Sequence, residues 1–514
     1  MTVNHNNKRI AKNSIFLTIR TIIVLVVSLY TTRVIVDALG IENFGIYNVV
    51  AGFVALFTFL SSAMNNGTQR FYNYELSIRG DSGLLIVYNV SFRIQLFLAI
   101  LLLIVISFVG IWYIKNKMVL PAAKISDAIW LFIASIISLA FVVLQVTYSA
   151  IVIAKEKMDF YAIVSVLNAG LTLIVAFIIK GVKAYHLPLY GLCLALIQLV
   201  ILIIYYFYSK KISPQIHLEK GFNFSIMRSM LGFSGWNLFG TFGGIMKDQG
   251  TNLILNLFCG PIVNAARGIA TQVNGGFQSL VSNLHTSVRP QVVQSYAAGD
   301  ISRTMQLTYS ISKLSCMALF MFSYPILLEI DYVLTLWLGE NVPDKTNIFV
   351  IIVVLSSFFG NLNAPISGVV HSSGKMKNYQ LVGSGINLLT LPILYFLLAW
   401  GISPEIALWS LVLTSILVQI AALIVLKNIV KYSIKEYIIK VIFPIVLVAS
   451  MSMLLPYMIH YYMQSGFIRF VIVCAFSIIE IGVVAYIFGL SKSERLLITT
   501  MFQNLQLKFK RMKI

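Results

Sequence analysis

The chain has 514 residues, of which 59% are hydrophobic and only 11% charged, with a mean hydropathy of +0.87. Soluble globules carry near 25% charged residues, so a soluble fold is excluded and a polytopic membrane protein is indicated. The formal charge of +20 does not point to nucleic acid, because Lys and Arg are scattered through short connections and are not gathered on one domain.

Cys193, Cys259, Cys316 and Cys474 fall in apolar segments without paired spacing, which excludes a disulfide framework and a metal site. The first apolar run, around Ile22 and Tyr30, follows Lys8, Arg9 and Lys12 but lacks a small-residue cleavage site, so it reads as an uncleaved first helix. Runs long enough to span a bilayer lie at about 14–38, 44–66, 85–110, 127–152, 160–180 and 187–209. After a basic connector with Lys210, Lys211, Lys220 and Arg228, six more lie at about 231–258, 262–288, 304–328, 346–370, 379–399 and 405–427. Two final runs, about 437–461 and 467–490, complete an all-α protein of about fourteen transmembrane helices. The expected domains are an N-lobe at 1–215, a C-lobe at 216–434, and 435–514 with helices 13 and 14 and a basic tail.

With the N-terminus inside, roughly 25 Lys and Arg fall in cytoplasmic segments and about 7 outside, which places both termini in the cytoplasm. Lys115, Lys117 and Lys124 depart from this pattern. The tail residues Lys508, Lys510, Arg511 and Lys513 read as an anionic-lipid contact or a topology signal.

The two six-helix sets repeat. Arg70 precedes Gly80-Asp81 by the interval at which Arg289 precedes Gly299-Asp300, about 219 positions later. Lys157-Met158-Asp159-Phe160-Tyr161 likewise matches Lys375-Met376-Lys377-Asn378-Tyr379, and Arg93 and Lys313 fall at near-equivalent depths. Six helices return the chain to the same side, so the sets are expected to form two parallel six-helix lobes. An axis along the membrane normal would relate them, with a site at their interface.

Polar residues mark that site. Arg267, Thr271, Asn274, Gln278, Ser282, His285 and Arg289 recur every three or four residues, on one side of a helix. From Arg267 to Arg289 the rise is roughly 33 Å, close to the hydrocarbon thickness. The stripe reads as a water-lined track or, alternatively, as a helix packed through Ser, Thr and Gly. The seventh helix carries a second stripe of Asn237, Thr241, Gly244, Asp248, Asn252 and Asn256. Asp248 is either a coupling-ion site or a carboxylate neutralised by Lys247 or Arg267. Of the remaining intramembrane cations, Arg33 either pairs with Asp37 one turn on or meets a ligand. Arg20, Arg93, Lys313 and Arg267 sit near helix ends, where they either snorkel or touch a ligand. The Gly-Asp turns read as helix caps. No Cys-x-x-Cys, His-Glu-x-x-His, P-loop or Gly-x-Ser-x-Gly pattern occurs, so no catalytic, nucleotide or cofactor site is expected.

Several stretches together resemble the polysaccharide-transporter branch, which contains the O-antigen flippases, of the multidrug/oligosaccharidyl-lipid/polysaccharide exporter superfamily. They are Ala38-Leu-Gly-Ile-Glu-Asn-Phe-Gly-Ile-Tyr47, Thr68-Gln-Arg-Phe-Tyr72, Gly260-Pro-Ile-Val-Asn-Ala-Ala-Arg267, Arg289-Pro290 through Gly299-Asp300, and Leu336-Trp-Leu-Gly339. The resemblance implies movement of undecaprenyl-pyrophosphate-linked oligosaccharide, an O-antigen or capsule repeat unit, from the inner to the outer leaflet of the bacterial cytoplasmic membrane. Transport would use alternating access through a cationic cavity containing Arg267 and first-helix cations. Other polysaccharide-assembly proteins are implied partners, beside membrane lipid. The residue chemistry agrees, since Arg forks suit phosphate oxygens and amides or hydroxyls suit sugars. The expected substrate contacts are Arg33, Arg70, Lys247, Arg267, Thr271, Asn274, Gln278, His285 and Arg289, with Asp248 as the coupling-ion candidate. One alternative is cation-coupled drug export, against which the excess of intramembrane base argues. Another is a glycan polymerase, which needs a larger outward loop than the short connection near 329–345.

Overall fold

The computed structural model describes residues 2–182, 185–219, 221, 223–430, 432–492 and 494–495, and every regular element among them is helical. The basic tail at 508–513 and the side chains of Lys8, Arg9, Lys12 and Asn237 lie outside the described residues.

Helix α1 runs Thr2–Ala55 and α2 Thr58–Asn116, and each is broken by a glycine, Gly40 at φ 76° and Gly80 at φ 60°. That left-handed backbone is cheap only for glycine and ends one helical stretch before the next begins. There follow α3 (Ile125–Ala154), α4 (Met158–Gly181), α5 (His186–Ile212) and α6 (Phe224–Ile245). A π-helical turn, Met246–Gly250, links α6 to α7 (Thr251–Cys259). The polar stripe lies on α8 (Pro261–Ala297). Beyond it come α9 (Ile301–Leu328), α10 (Ile330–Leu338), α11 (Thr346–Ser373), α12 (Met376–Ala399), α13 (Pro404–Ala407) and α14 (Trp409–Ile429). Last are α15 (Ile434–Tyr437), α16 (Phe443–Ser452), α17 (Leu454–Tyr462) and α18 (Phe467–Val484).

Among the described residues, 11 segments are long and apolar enough to cross a membrane, against the fourteen expected. The first of them, Ile19–Ala55, takes in the start of the expected second span, which the break at Leu56 and Phe57 then interrupts. The expected seventh and eighth spans fall short because they carry Lys247, Asp248 and the α8 stripe. The internal repeat has a backbone counterpart. Gly40, Gly80, Glu156 and Tyr185 have positive φ, and so do Gly260, Gly299, Gly374 and Gly401, each about 220 positions later.

The chain forms two compact units. The first comprises the described residues of Met1–Gln272, Trp337–Phe349 and Gln380–Ser410; the second those of Val273–Leu336, Val350–Tyr379 and Leu411–Ile514. In the first unit, Ile46, Val49 and Phe53 of α1 pack with Ile106 of α2 and with Leu131 and Phe132 of α3. Backbones meet closely where α1 crosses the start of α8: a Cβ on Gly45 would lie 1.9 Å from the Pro261 carbonyl oxygen. Close approach through small residues is how helices associate in lipid, where apolar burial alone gains little. In the second unit Met305, Tyr309, Leu362, Ile366, Val369 and Tyr437 form one core, and Met317, Phe320, Val448 and Ile481 another.

Candidate functional site

Arg267 is buried, at 1% exposure, and its Nη2 donates to the Asp248 carbonyl oxygen at 2.8 Å. The Asp248 carboxylate is 3.7 Å away and 70% exposed. A π turn lifts backbone carbonyls out of α-helical register, and a side chain caps one of them here. Arg267 caps the Asp248 carbonyl, while the Lys247 carbonyl keeps the Thr251 N–H and also accepts from the Thr251 hydroxyl at 2.5 Å. Lys247 is half-buried in the same turn. Asn264 Nδ2 donates to the Asn252 carbonyl at 2.7 Å, fastening α8 to α7 one step further on. The structure therefore brings Arg267, Asp248 and Lys247 together around an irregular turn.

Immediately beyond, in the first unit, is a cavity of about 370 Å³. Its walls include Ser28, Thr31 and Thr32 of α1, Thr172 of α4 and Thr271 and Gln272 of α8. No charged side chain is among its described lining residues. Gln272 Nε2 donates to Ser28 Oγ at 2.6 Å, while Thr31 and Thr32 donate their hydroxyls back to the Val27 and Ser28 carbonyls. Those hydroxyl oxygens keep lone pairs for a ligand. Tyr47 and Tyr190, also in the wall, meet edge to face at 5.1 Å. Hydroxyls, an amide and aromatic edges without charge form a surface suited to neutral polar ligands.

In the second unit, His285 and Arg289 of α8 line a cavity of about 260 Å³ with Ser367 and His371 of α11. Arg289 is exposed and His285 half-buried. Asn361 of α11 accepts from His285 Nε2 at 3.1 Å and donates to Gln278 Oε1 at 3.2 Å. Its other donor bond, to the Ser357 carbonyl at 3.0 Å, fixes the amide orientation and so assigns the proton on His285 to Nε2. Pro365, inside α11 and in the cavity wall, has no N–H to complete the helix there. This cavity is cationic, with a fixed guanidinium and two imidazoles.

The other sequence candidates lie apart from these cavities. Asn274 is half-buried, and no described partner reaches its Oδ1. Arg33 and Arg70 are exposed. Asp37 pairs with Lys180 of α4 at 2.6 Å. Arg93 donates to the Gly221 carbonyl at 2.6 Å and to that of Glu219, so it braces the connector. Lys313 is buried against Glu494 at 2.6 Å. Arg20 stands over the Tyr161 ring at 5.1 Å. Asp300 caps α9 by accepting from Arg303 N at 2.9 Å. Sequence reasoning passed over Thr31, Thr32, Asn361 and His371. The adjacent threonines beside Arg33 were a visible polar interruption of the first apolar run, whereas nothing along the chain marks Asn361 as the partner of His285.

No protein-family model and no curated protein sequence matches the chain. Solved structures do. The chain is similar to the lipid II flippase MurJ in an inward closed conformation, with TM-score 0.67 and 15% identity over 93% of this chain and 98% of that one. It is similar to the MATE multidrug transporter DinF-BH, with TM-score 0.62 and 14% identity over 83% and 97%. It also matches an inward-facing multidrug resistance MATE family transporter of the MOP superfamily, with TM-score 0.62 and 12% identity over 80% and 98%. The chain is an all-α polytopic membrane protein, and its fold is the one seen in the structures of MurJ and the MATE proteins.

Proposed function

We propose that the protein is a flippase that carries an undecaprenyl-pyrophosphate-linked oligosaccharide, an O-antigen or capsule repeat unit, from the inner to the outer leaflet of a bacterial cytoplasmic membrane. In this reading residues 1–215 and 216–434 form two six-helix lobes that alternate access, with both termini cytoplasmic. The observation that carries the proposal is the uncharged cavity lined by Ser28, Thr31, Thr32, Thr271 and Gln272, whose hydroxyls and amide match sugar hydroxyls. The cationic cavity of His285, Arg289 and His371 supplies the complementary chemistry for a diphosphate. The likeness to a lipid II flippase over 93% of the chain supports a lipid-linked cargo.

A second reading is cation-coupled drug export. It is favoured by the exposed Asp248 carboxylate and by the likeness to multidrug transporters.

Proteoliposomes containing undecaprenyl-diphosphate-linked glycan test the choice, with transferred glycan read by an impermeant glycosidase. Replacing both Thr32 and Thr271 by Val removes two hydroxyls of about 1 kcal/mol each, so transfer should fall about tenfold or more at unchanged protein yield. Full transfer by the double variant would refute the sugar-binding role. Ion-dependent efflux of an organic cation without glycan transfer would instead establish the second reading.

A further inference from the structure

A third cavity, in the first unit, has different chemistry from the two above. It is an open groove of about 590 Å³ between α3 and α5. Trp130, Ile137 and Phe141 form one wall and Leu189, Leu192 and Leu196 the other. Its polar lining is confined to Ser126, Asp127 and Tyr185, all at the N-terminal ends of the two helices. From Asp127 to Phe141 the groove follows α3 for about 21 Å, somewhat more than the roughly 15 Å hydrocarbon depth of one leaflet. The walls remain open: Trp130 is 60% exposed, Leu192 52% and Leu196 51%. The floor is closed, because a Cβ on Gly191 would lie 2.8 Å from Leu131. A long apolar trough with one polar end fits an acyl chain and its headgroup.

The charge at that end selects the headgroup. Lys124, half-buried, ends the turn that leads into α3, and the exposed Lys115 and Lys117 close α2 a few residues earlier. Asp127 lies 3.9 Å from the Lys124 ammonium and offsets one of the three charges. These are the lysines that depart from the charge asymmetry of the other connections, so topology does not explain them. Trp130 and Tyr185, 60% and 77% exposed, sit at the same end, where amphipathic rings favour the headgroup level.

We propose that this groove is a binding site for an anionic glycerophospholipid, with an acyl chain along α3 and α5 and the phosphate held by Lys115, Lys117 and Lys124. The site is separate from the proposed transport reading and stands or falls without it.

Tryptophan quenching by dibrominated lipids tests it on the full chain in vesicles. The Trp130 signal is taken as the difference between the wild type and Trp130→Phe. Dibrominated phosphatidylglycerol at 20 mol% should quench that signal at least threefold more than dibrominated phosphatidylcholine. The triple variant Lys115→Gln, Lys117→Gln, Lys124→Gln removes the three charges while keeping polar side chains and should bring the two lipids to parity. Leu196→Phe, which fills the groove at an exposed position, should weaken quenching by phosphatidylglycerol. Equal quenching by both lipids in the wild type would overturn the proposal, as would a lysine variant that keeps the preference. Protection of Trp130 from both lipids in a cross-linkable dimer would assign the groove to a second copy of the chain and overturn it too.

Discussion

Arg267 and Asp248 show how the same pair of residues divides its work between backbone and side chain. The Arg267 guanidinium is buried and bonded to the Asp248 carbonyl, whereas the Asp248 carboxylate is largely exposed. Arg267→Ala removes a charged donor from a part-buried carbonyl, a loss of about 1.5 to 3 kcal/mol before any cavity is counted. Asp248→Asn leaves the carbonyl bond intact and weakens only a 3.7 Å ion pair whose carboxylate is largely solvated, worth about 0 to 1 kcal/mol. Thermal unfolding of purified protein in detergent should show a clear fall in midpoint for the first variant and nearly none for the second. Equal falls would mean that the carboxylate, not the π turn, is what Arg267 holds. The sequence places Arg267 and Asp248 near one another as opposite charges. It cannot show that the carbonyl is the nearer acceptor, because that follows from the π turn.

At the scale of elements, the glycines separate into those that permit contact and those that do not. Gly45 faces the Pro261 carbonyl with no room for a methyl group, while nothing lies within 4 Å of a Cβ built on Gly275. Gly45→Ala should therefore force α1 away from the start of α8 and sharply reduce the yield of folded protein. Gly275→Ala should leave yield unchanged or raise stability by up to about 1 kcal/mol, the helix-propensity difference. Fluorescence size-exclusion of the two variants side by side checks both. Gly45 lies in one of the stretches that carry the family resemblance and Pro261 in another, so part of that resemblance has a packing cause. Helix positions were legible because apolar runs and Gly-Asp turns are local signals. The breaks at Gly40 and Gly80 could be read the same way. The π turn, the short α10 and the Asn361 bridge between Gln278 and His285 were not legible, because they depend on which helices meet. Lys313 is a similar case: its depth was readable, but its partner lies 181 residues away.

At the scale of the whole molecule, that partner sets how the chain closes on itself within the second unit. Glu494 follows the last apolar helix and is buried, with Lys313 Nζ at 2.6 Å, Ser310 Oγ at 2.5 Å and the Ser491 N–H at 2.7 Å. Burial alone would raise its carboxyl, but the Lys313 ammonium, the Ser310 hydroxyl and the Ser491 amide outweigh it and hold the group below the usual carboxylate range. A carboxyl lowered in the folded state stabilises the fold above its unfolded value, about 4.3, and loses that contribution as pH falls through the folded value. The wild type should thus lose stability progressively below about pH 4.5. Glu494→Ala leaves the Lys313 charge buried and unpaired, at a cost of about 3 to 5 kcal/mol at neutral pH. Replacing the pair together, as Lys313→Met with Glu494→Leu, should recover most of that loss, because two apolar side chains need no partner. Thermal midpoints of the wild type, Lys313→Met, Glu494→Leu and the double variant at pH 7 and pH 4 complete the cycle, with Glu494→Ala measured beside them. The gap between the wild type and Glu494→Ala should be wide at pH 7 and narrower at pH 4. A gap that stays constant with pH, or a double variant as unstable as Glu494→Ala, would show that the carboxylate does not hold the end of the chain to α9.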